Sequence, residues 1–517
     1  MPAPVLVLVL VLLAPPLSAR PPGAAEILRI VDPSPLDAAE RALLASLQGL
    51  VNRPGAALWV AGGGFARIIP AQLEEEGARV VRGAPLWELV EFHRDAFEGV
   101  ILCDVADRSL NVAFSLAGVR RALVFDASFE RRARDLRLRV VADVRGLDEA
   151  AAFQRWQPLF ARGLLAEQPP AKPLHLRDLL VARGAFVFSD VEPERRTDFV
   201  RGLGPQALVL GWGRDEYEFV RDVSRGGGAV VPSDWALNLS ALARLDADIP
   251  ARARPPAPAP VEAGERIVAF VMSDGDNVQW LLNSFTEPDR GWWGSPHRGR
   301  IPMTWEMAPL LTEFAPRVLA WFYARATAGG GDDFVAGPSG HGYFFPGVAA
   351  RERPALAQQA ARASLRAQLP LITVLNAGGT MDDARAHLAQ PGVHGVLYKD
   401  YARYDQQRGR ILWHDDKPAV SYRFLLWEPK PEHSPEGVAQ AVAAMPADPA
   451  NDPGSYALVN VHAWSWRAIG GPMEAVKRTV DRLPPRTRVV TAGEFFALLN
   501  RHRDALQRHA APAAAPR

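Results

Sequence analysis

Cysteine is nearly absent: the 517-residue chain carries one, Cys103, so it has no intrachain disulfide framework. That residue closes the apolar run Val100-Ile101-Leu102-Cys103, where a free thiol behaves as a small core hydrophobe. An excess of charge of one sign is missing too. Lys and Arg number 59 against 58 Asp and Glu, a formal charge of +1 that supplies no general attraction to nucleic acid or anionic lipid. No apolar run is long enough to cross a bilayer; the one at the start, Val5 to Ala14, stops well short. The 11 histidines include no closely spaced His-x-x-x-His pair, which weakens any metal-hydrolase reading. Two glycine triplets, at 62–64 and 226–228, lack both the G-x-G-x-x-G spacing and the Lys and Ser/Thr of a phosphate-binding loop, and read as turns.

What is present has the composition of a folded protein, 48% hydrophobic and 23% charged, at a length that requires several domains. The 45 prolines and the preference for Arg over Lys resemble the usage of a GC-rich bacterial genome. Residues 1–19 have the layout of a signal peptide, an apolar stretch followed by Pro15-Pro16-Leu17-Ser18-Ala19, so the mature chain is expected to be secreted or periplasmic without a stable membrane anchor. Short β-rich runs then alternate with amphipathic stretches, which predicts three small α/β domains at about 26–85, 86–165 and 166–250. A Pro-rich linker is expected over 251–261. Beyond it, eight β-type runs, among them Ile267 to Met272, Ile301 to Trp305, Val318 to Tyr323, Gly395 to Lys399 and Ala457 to His462, predict a (β/α)7–8 barrel-like domain over 262–503. A disordered tail is expected over 504–517.

In such a barrel the chemistry belongs at the C-terminal ends of the strands. Applied here, that rule selects Asp274, Asp276 and Asn277, then Trp305 and Glu306, Asn376, Lys399 and Asp400, Trp427 and Glu428, and Asn460 and His462 with Trp464. Indoles stack on sugar rings, amides and carboxylates bind hydroxyls, and paired carboxyls do acid and base work on a glycosidic bond, so the pattern points to carbohydrate. Ser273-Asp274-Gly275-Asp276-Asn277 is the sharpest cluster, because a helix cap at Val278 needs one polar side chain and not two aspartates.

Gly340-His341-Gly342-Tyr343-Phe344-Phe345-Pro346 resembles the signature of the GxGYxYP family, a group proposed to hydrolyse glycosides, with Phe345 in place of its second Tyr. Ser46 to Arg53, Ser109 to Ala113, Pro232 to Ser240, Ser273 to Asn277 and Val459 to Trp464 are similar to other stretches of the same family, from its N-terminal, middle and C-terminal domains. The resemblance implies that domain order and a carbohydrate substrate. The expected catalytic carboxyls are Asp274 and Asp276, with Glu306 or Glu428 as partner. Asn277, Trp305, Gly340, Gly342, Tyr343, Asn376, Lys399, Asp400, His462 and Trp464 are expected to bind substrate, with no cofactor. Two alternatives remain open: a deacetylase-like hydrolase holding a divalent cation at Asp274, Asp276 and His462, and a glycan-binding protein without catalysis.

Overall fold

The computed structural model describes residues 24–252, 257–327, 329 and 331–510. The signal-peptide expectation therefore lies outside the described residues. Three separate parallel sheets precede the barrel region, each laid down by strands that alternate with helices. The first, β1 (Ala24–Val31), β2 (Ala56–Val60) and β3 (Arg79–Arg82), has order β2-β1-β3. The second, β4 (Gly99–Cys103), β5 (Ala122–Asp126) and β6 (Val140–Asp143), has order β5-β4-β6. The third joins β7 (Leu164–Glu167), β8 (Phe186–Phe188), β9 (Leu208–Gly211) and β10 (Ala229–Val231) in the order β10-β9-β7-β8. β7 thus places the start of the third unit before the expected boundary at 165/166. Cys103 is fully buried in β4, and burial pushes its thiol well above the usual range.

The remaining strands form one curled sheet: β11 (Arg266–Met272), β12 (Met303–Met307), β13 (Asp332–Ala336), β14 (Leu371–Asn376), β15 (Gly395–Asp400), β16 (Ile411–His414), β17 (Lys417–Ser421), β18 (Phe424–Leu426), β19 (Tyr456–Val461) and β20 (Thr487–Val490). From β11 to β15 each strand pairs in parallel with the next, and β19 flanks β11 on the other side. β17 pairs with β15, and its continuation β18 pairs with β19, so one run of chain ties the two edges together. Alternate residues of these strands, Ile267, Ala269, Val271, Leu397 and Leu458 among them, form an apolar cluster inside the curl with Tyr422, between β17 and β18, and with Phe495 and Phe496 of helix Ala492–Arg501.

Two expectations need correction. Val318 to Tyr323 is not a strand but part of helix Pro316–Ala324. Pro316 pre-sets its first turn, and Val318, Leu319, Phe322 and Tyr323 are buried at the i, i+1, i+4, i+5 spacing of one helical face. The tail is not disordered from 504 onward, because Arg503–Ala510 is a helix with Leu506 buried. The expected linker is pinned rather than free at its first residues: Arg252 pairs with Asp333, and its backbone N–H donates to Gln368 Oε1 at 2.8 Å.

Candidate active site

β11 is apolar and buried from Ile267 onward, and the chain leaves it at Ser273, whose N–H makes the last bond to β19, donating to Val461 O at 3.0 Å. Asn277 caps the helix that follows, Val278–Leu282, by accepting from the Trp280 N–H at 3.2 Å. Neither aspartate is needed for that cap. Asp274 is held at φ +69°, a left-handed conformation that costs a non-glycine residue on the order of 1 kcal/mol. Gly275 is required by space, since a Cβ there would meet the Glu306 carbonyl oxygen at 1.7 Å. Gly337 is required in the same way, its missing Cβ leaving room for the backbone of Asp276.

The loop opens into a cavity of about 310 Å³. Ser273, Asp274, Asp276, Asn277, Tyr343, Leu375, Lys399, Tyr404, Trp427, His462 and Trp464 line it from the barrel side, and Trp212, Glu216 and Pro232 line it from the third N-terminal unit. Both oxygens of Asp274 are engaged, one by the Ser273 hydroxyl and the other by the Trp464 indole N–H at 3.1 Å. Burial, and after it the charges of Glu306 and Asp274, hold the Asp276 carboxyl well above the ordinary aspartate range. Glu216 is raised as well, first by burial and then by Asp274, against the lowering effect of a hydrogen bond from the Tyr343 hydroxyl at 3.0 Å.

Beneath this wall, Lys399 and Glu306 form a buried ion pair at 3.2 Å, and the ammonium also reaches Asn460 Oδ1 at 3.4 Å. Burial raises Glu306 although Lys399 pulls it down. His462 stacks on Trp427 with ring centroids 4.0 Å apart and shares a 2.7 Å hydrogen bond with Ser465 Oγ. Burial lowers its pKa, so its ring is neutral at pH 7 and serves as a flat wall.

Of the expected substrate-binding residues, Asn277, Tyr343, Lys399, His462 and Trp464 come together in the cavity. Trp305 does not: it is buried on the outer face of β12, packed on Phe285 and Trp293, and donates to Asp332 Oδ1 at 2.8 Å. Asn376 also faces away, accepting from the Gly347 N–H at 2.7 Å and donating to Thr380 O and Asp383 Oδ2. Asp400 is occupied by the Tyr398 hydroxyl and Gln407. Of the expected carboxyl partners, Glu306 lies below the cavity, and Glu428 is exposed and accepts from the Trp466 N–H at 2.6 Å.

Gly340 and Gly342 shape the backbone rather than the cavity. A Cβ on Gly340 would meet Ala360, and one on Gly342 would meet Ala229 and Val230. The Tyr343 backbone exchanges two hydrogen bonds with Val230 of β10, at 2.7 and 2.8 Å, and the Phe345 N–H donates to Ser224 Oγ at 3.0 Å. The glycine-rich loop is therefore the joint between the third unit and the barrel, and Phe345, fully buried against Tyr217 and Tyr401, needs no hydroxyl.

Three segments match domains of one family: residues 97–160 its "GxGYxYP_N second domain", 162–244 its "GxGYxYP third domain", and 265–500 its "GxGYxYP putative glycoside hydrolase C-terminal domain". The chain belongs to the GxGYxYP family. This GxGYxYP protein also superposes with a TM-score of 0.82 on a crystal structure from Bacteroides thetaiotaomicron VPI-5482 described as "a putative hydrolase". The match covers 94% of this chain and 98% of that one at 24% identity, which shows a shared fold. No curated protein matches the chain.

Sequence reasoning missed Trp212, Glu216 and Tyr404 as members of the site, while Trp427, picked out with Glu428 at the end of a predicted strand, does line it. Glu216 had no signal, because it opens a helix of another domain. Among the described residues no three His, Cys, Asp or Glu side chains group as metal ligands do. A larger cavity, about 680 Å³, lies at the opposite, N-terminal ends of β13 and β14, where Asp333 is tied to Arg252 and to backbone N–H groups.

Proposed function

We propose that this protein is an exported hydrolase of glycosidic bonds that takes a single sugar ring into the 310 Å³ cavity. One observation carries the reading: Asp276 lines an aromatic-walled cavity, keeps its proton above the usual aspartate range, and has no hydrogen bond to its carboxyl among the described residues. Such a group is poised to donate a proton to a leaving glycosidic oxygen. Trp212, Trp427, Trp464 and Tyr404 offer faces for the apolar sides of a sugar ring, and Lys399 and Asn277 offer donors to its hydroxyls. The volume sits at the low end of the roughly 300–1,000 Å³ common for ligand pockets, which favours one ring over a long groove.

The test is a glycan and aryl-glycoside panel assayed with the purified protein beside Asp276→Asn. Cleavage by the wild type that the variant lacks is expected, while both bind the same sugar. A folded wild type that binds sugar and cleaves nothing supports the binding-protein reading instead. Metal-dependent deacetylation is the weaker alternative, since His462 has its Nδ1 bound to Ser465 Oγ and one ring face stacked on Trp427.

A further inference from the structure

We propose that Glu216, at the start of helix Glu216–Arg225 in the third N-terminal unit, is the general base of the site, so that the catalytic carboxyl pair is divided between two domains. The inference rests on the glycoside-hydrolase reading and names the partner that this reading leaves unassigned.

It follows from what each nearby acid is already doing. Asp274 has both oxygens engaged, Glu306 is spent on Lys399 below the cavity, Glu428 is bound to the Trp466 amide, and Asp400 is held by Tyr398 and Gln407. Asp276 and Glu216 are left. They reach the cavity from different domains, one on the loop after β11 and the other at the start of the helix after β9, whereas Asp274 and Asp276 share one loop. A displacement at an anomeric carbon needs an acid on the leaving-group side and a second carboxyl on the other face of the ring. Asp274 and Asp276 enter from one short loop, and Glu216 enters from the other domain.

Glu216 is also held as a working group should be. The Tyr343 hydroxyl donates to its Oε1, and no other hydrogen bond to its carboxyl occurs among the described residues. Tyr343 is fixed in turn by its double backbone bridge to Val230, and Phe345 N–H binds Ser224 on the helix that Glu216 opens. The glycine-rich signature thus acts through Tyr343 as a positioning residue. Burial lifts Glu216 toward neutrality, which suits a group that takes a proton from water, and Asp276, lifted further, keeps the proton it gives.

The step balances without a co-reactant other than water. The anomeric C–O bond breaks with its electron pair going to the leaving oxygen, which takes the proton of Asp276. The oxygen of one water bonds to the anomeric carbon, and the proton it sheds goes to Glu216, from which solvent returns it to Asp276. A single displacement of this kind inverts the anomeric centre, with the two carboxyls about 6.5–9.5 Å apart.

The experiment uses the full chain on 4-nitrophenyl glycosides and on an oligosaccharide it cleaves, with Glu216→Gln and Tyr343→Phe beside the wild type. Glu216→Gln is expected to lose about 10²–10⁴-fold in kcat at a thermal midpoint no lower than that of the wild type. The acidic limb of its pH profile should disappear, and proton NMR should show the wild-type product released with inverted configuration. Tyr343→Phe removes the hydrogen bond that lowers Glu216, so its acidic limb should move to higher pH, a shift that loss of packing does not produce. Retention of configuration, an acidic limb unmoved in both variants, or a wild-type kcat in Glu216→Gln overturns the assignment. A wild type that cleaves no substrate overturns the hydrolase reading beneath it. Should Glu216→Gln fail to fold, the Tyr343→Phe limb and the product anomer decide the matter.

Discussion

Asp276 pays for its position in stability, and the sign of that effect can be worked out. Its folded pKa lies well above the ordinary aspartate value of 3.8, so between the two values the folded protein holds a proton that the unfolded chain has lost. Stability therefore falls as pH rises through that window. Asp276→Asn keeps the shape and removes the ionisation, so it is expected to abolish hydrolysis while raising the thermal midpoint at pH 7 to 8 above that of the wild type, as calorimetry at two pH values would show. A midpoint that stays put at both values would contradict the strained carboxyl. Gly275 makes the opposite case. A methyl group 1.7 Å from the Glu306 carbonyl cannot be accommodated, so Gly275→Ala should lower the thermal midpoint and kcat together. The Asp-Gly-Asp-Asn cluster was legible in the sequence because two carboxyls after an apolar strand exceed what a cap requires. Which of them keeps a free oxygen was not legible, since the Trp464 indole that engages Asp274 arrives from 190 positions away.

At the scale of the strand, direction decided more than identity. Side chains alternate between faces, so of Thr304-Trp305-Glu306 the outer residues point into the curl and Trp305 points out into the core. The same parity turns Lys399 inward and Asp400 away, and leaves Leu375 rather than Asn376 at the cavity. The signal was present in part: Thr304, Glu306, Thr373, Lys399 and Asn460 are polar residues inside otherwise apolar strands, which is affordable only where they meet one another. Trp305→Phe should accordingly leave kcat and KM unchanged while lowering the thermal midpoint, because Asp332 loses a buried donor worth about 1–3 kcal/mol. A change in KM without a change in stability would return Trp305 to the sugar site.

Across the whole molecule, the N-terminal stretches that resemble family text turn out to be joints. Gln48 and the Val60 amide both donate to Asn238 Oδ1 at 2.7 Å, and Asn238 Nδ2 donates back to Val60 O, locking the first unit to the third. Ser46 Oγ of helix Ala38–Val51 accepts from the Val124 N–H, and Arg53, just past the end of that helix, donates to Gly118 O and Val181 O, so this stretch is tied to both of the other small units. Asn238→Ala should cost on the order of 3 kcal/mol, seen as a lower midpoint in denaturant, because buried donors and an acceptor lose their partners. If the third unit also carries Glu216, the same substitution should lower kcat before it lowers secondary structure.

Composition, apolar periodicity and local motifs determined by themselves the α/β class, the parallel strands that build its curled C-terminal sheet and the acidic loop, since each is written in residues close together in the chain. Trp212 and Glu216 became part of the site only through tertiary structure, as did the demotion of Trp305, Asn376 and Asp400 and the role of the glycine-rich loop as a joint. The physical reason is the same in each case. A strand's sequence fixes that alternate residues face opposite ways, but which face encloses the cavity, and which helix of another unit closes it, depends on packing between separate segments of the chain.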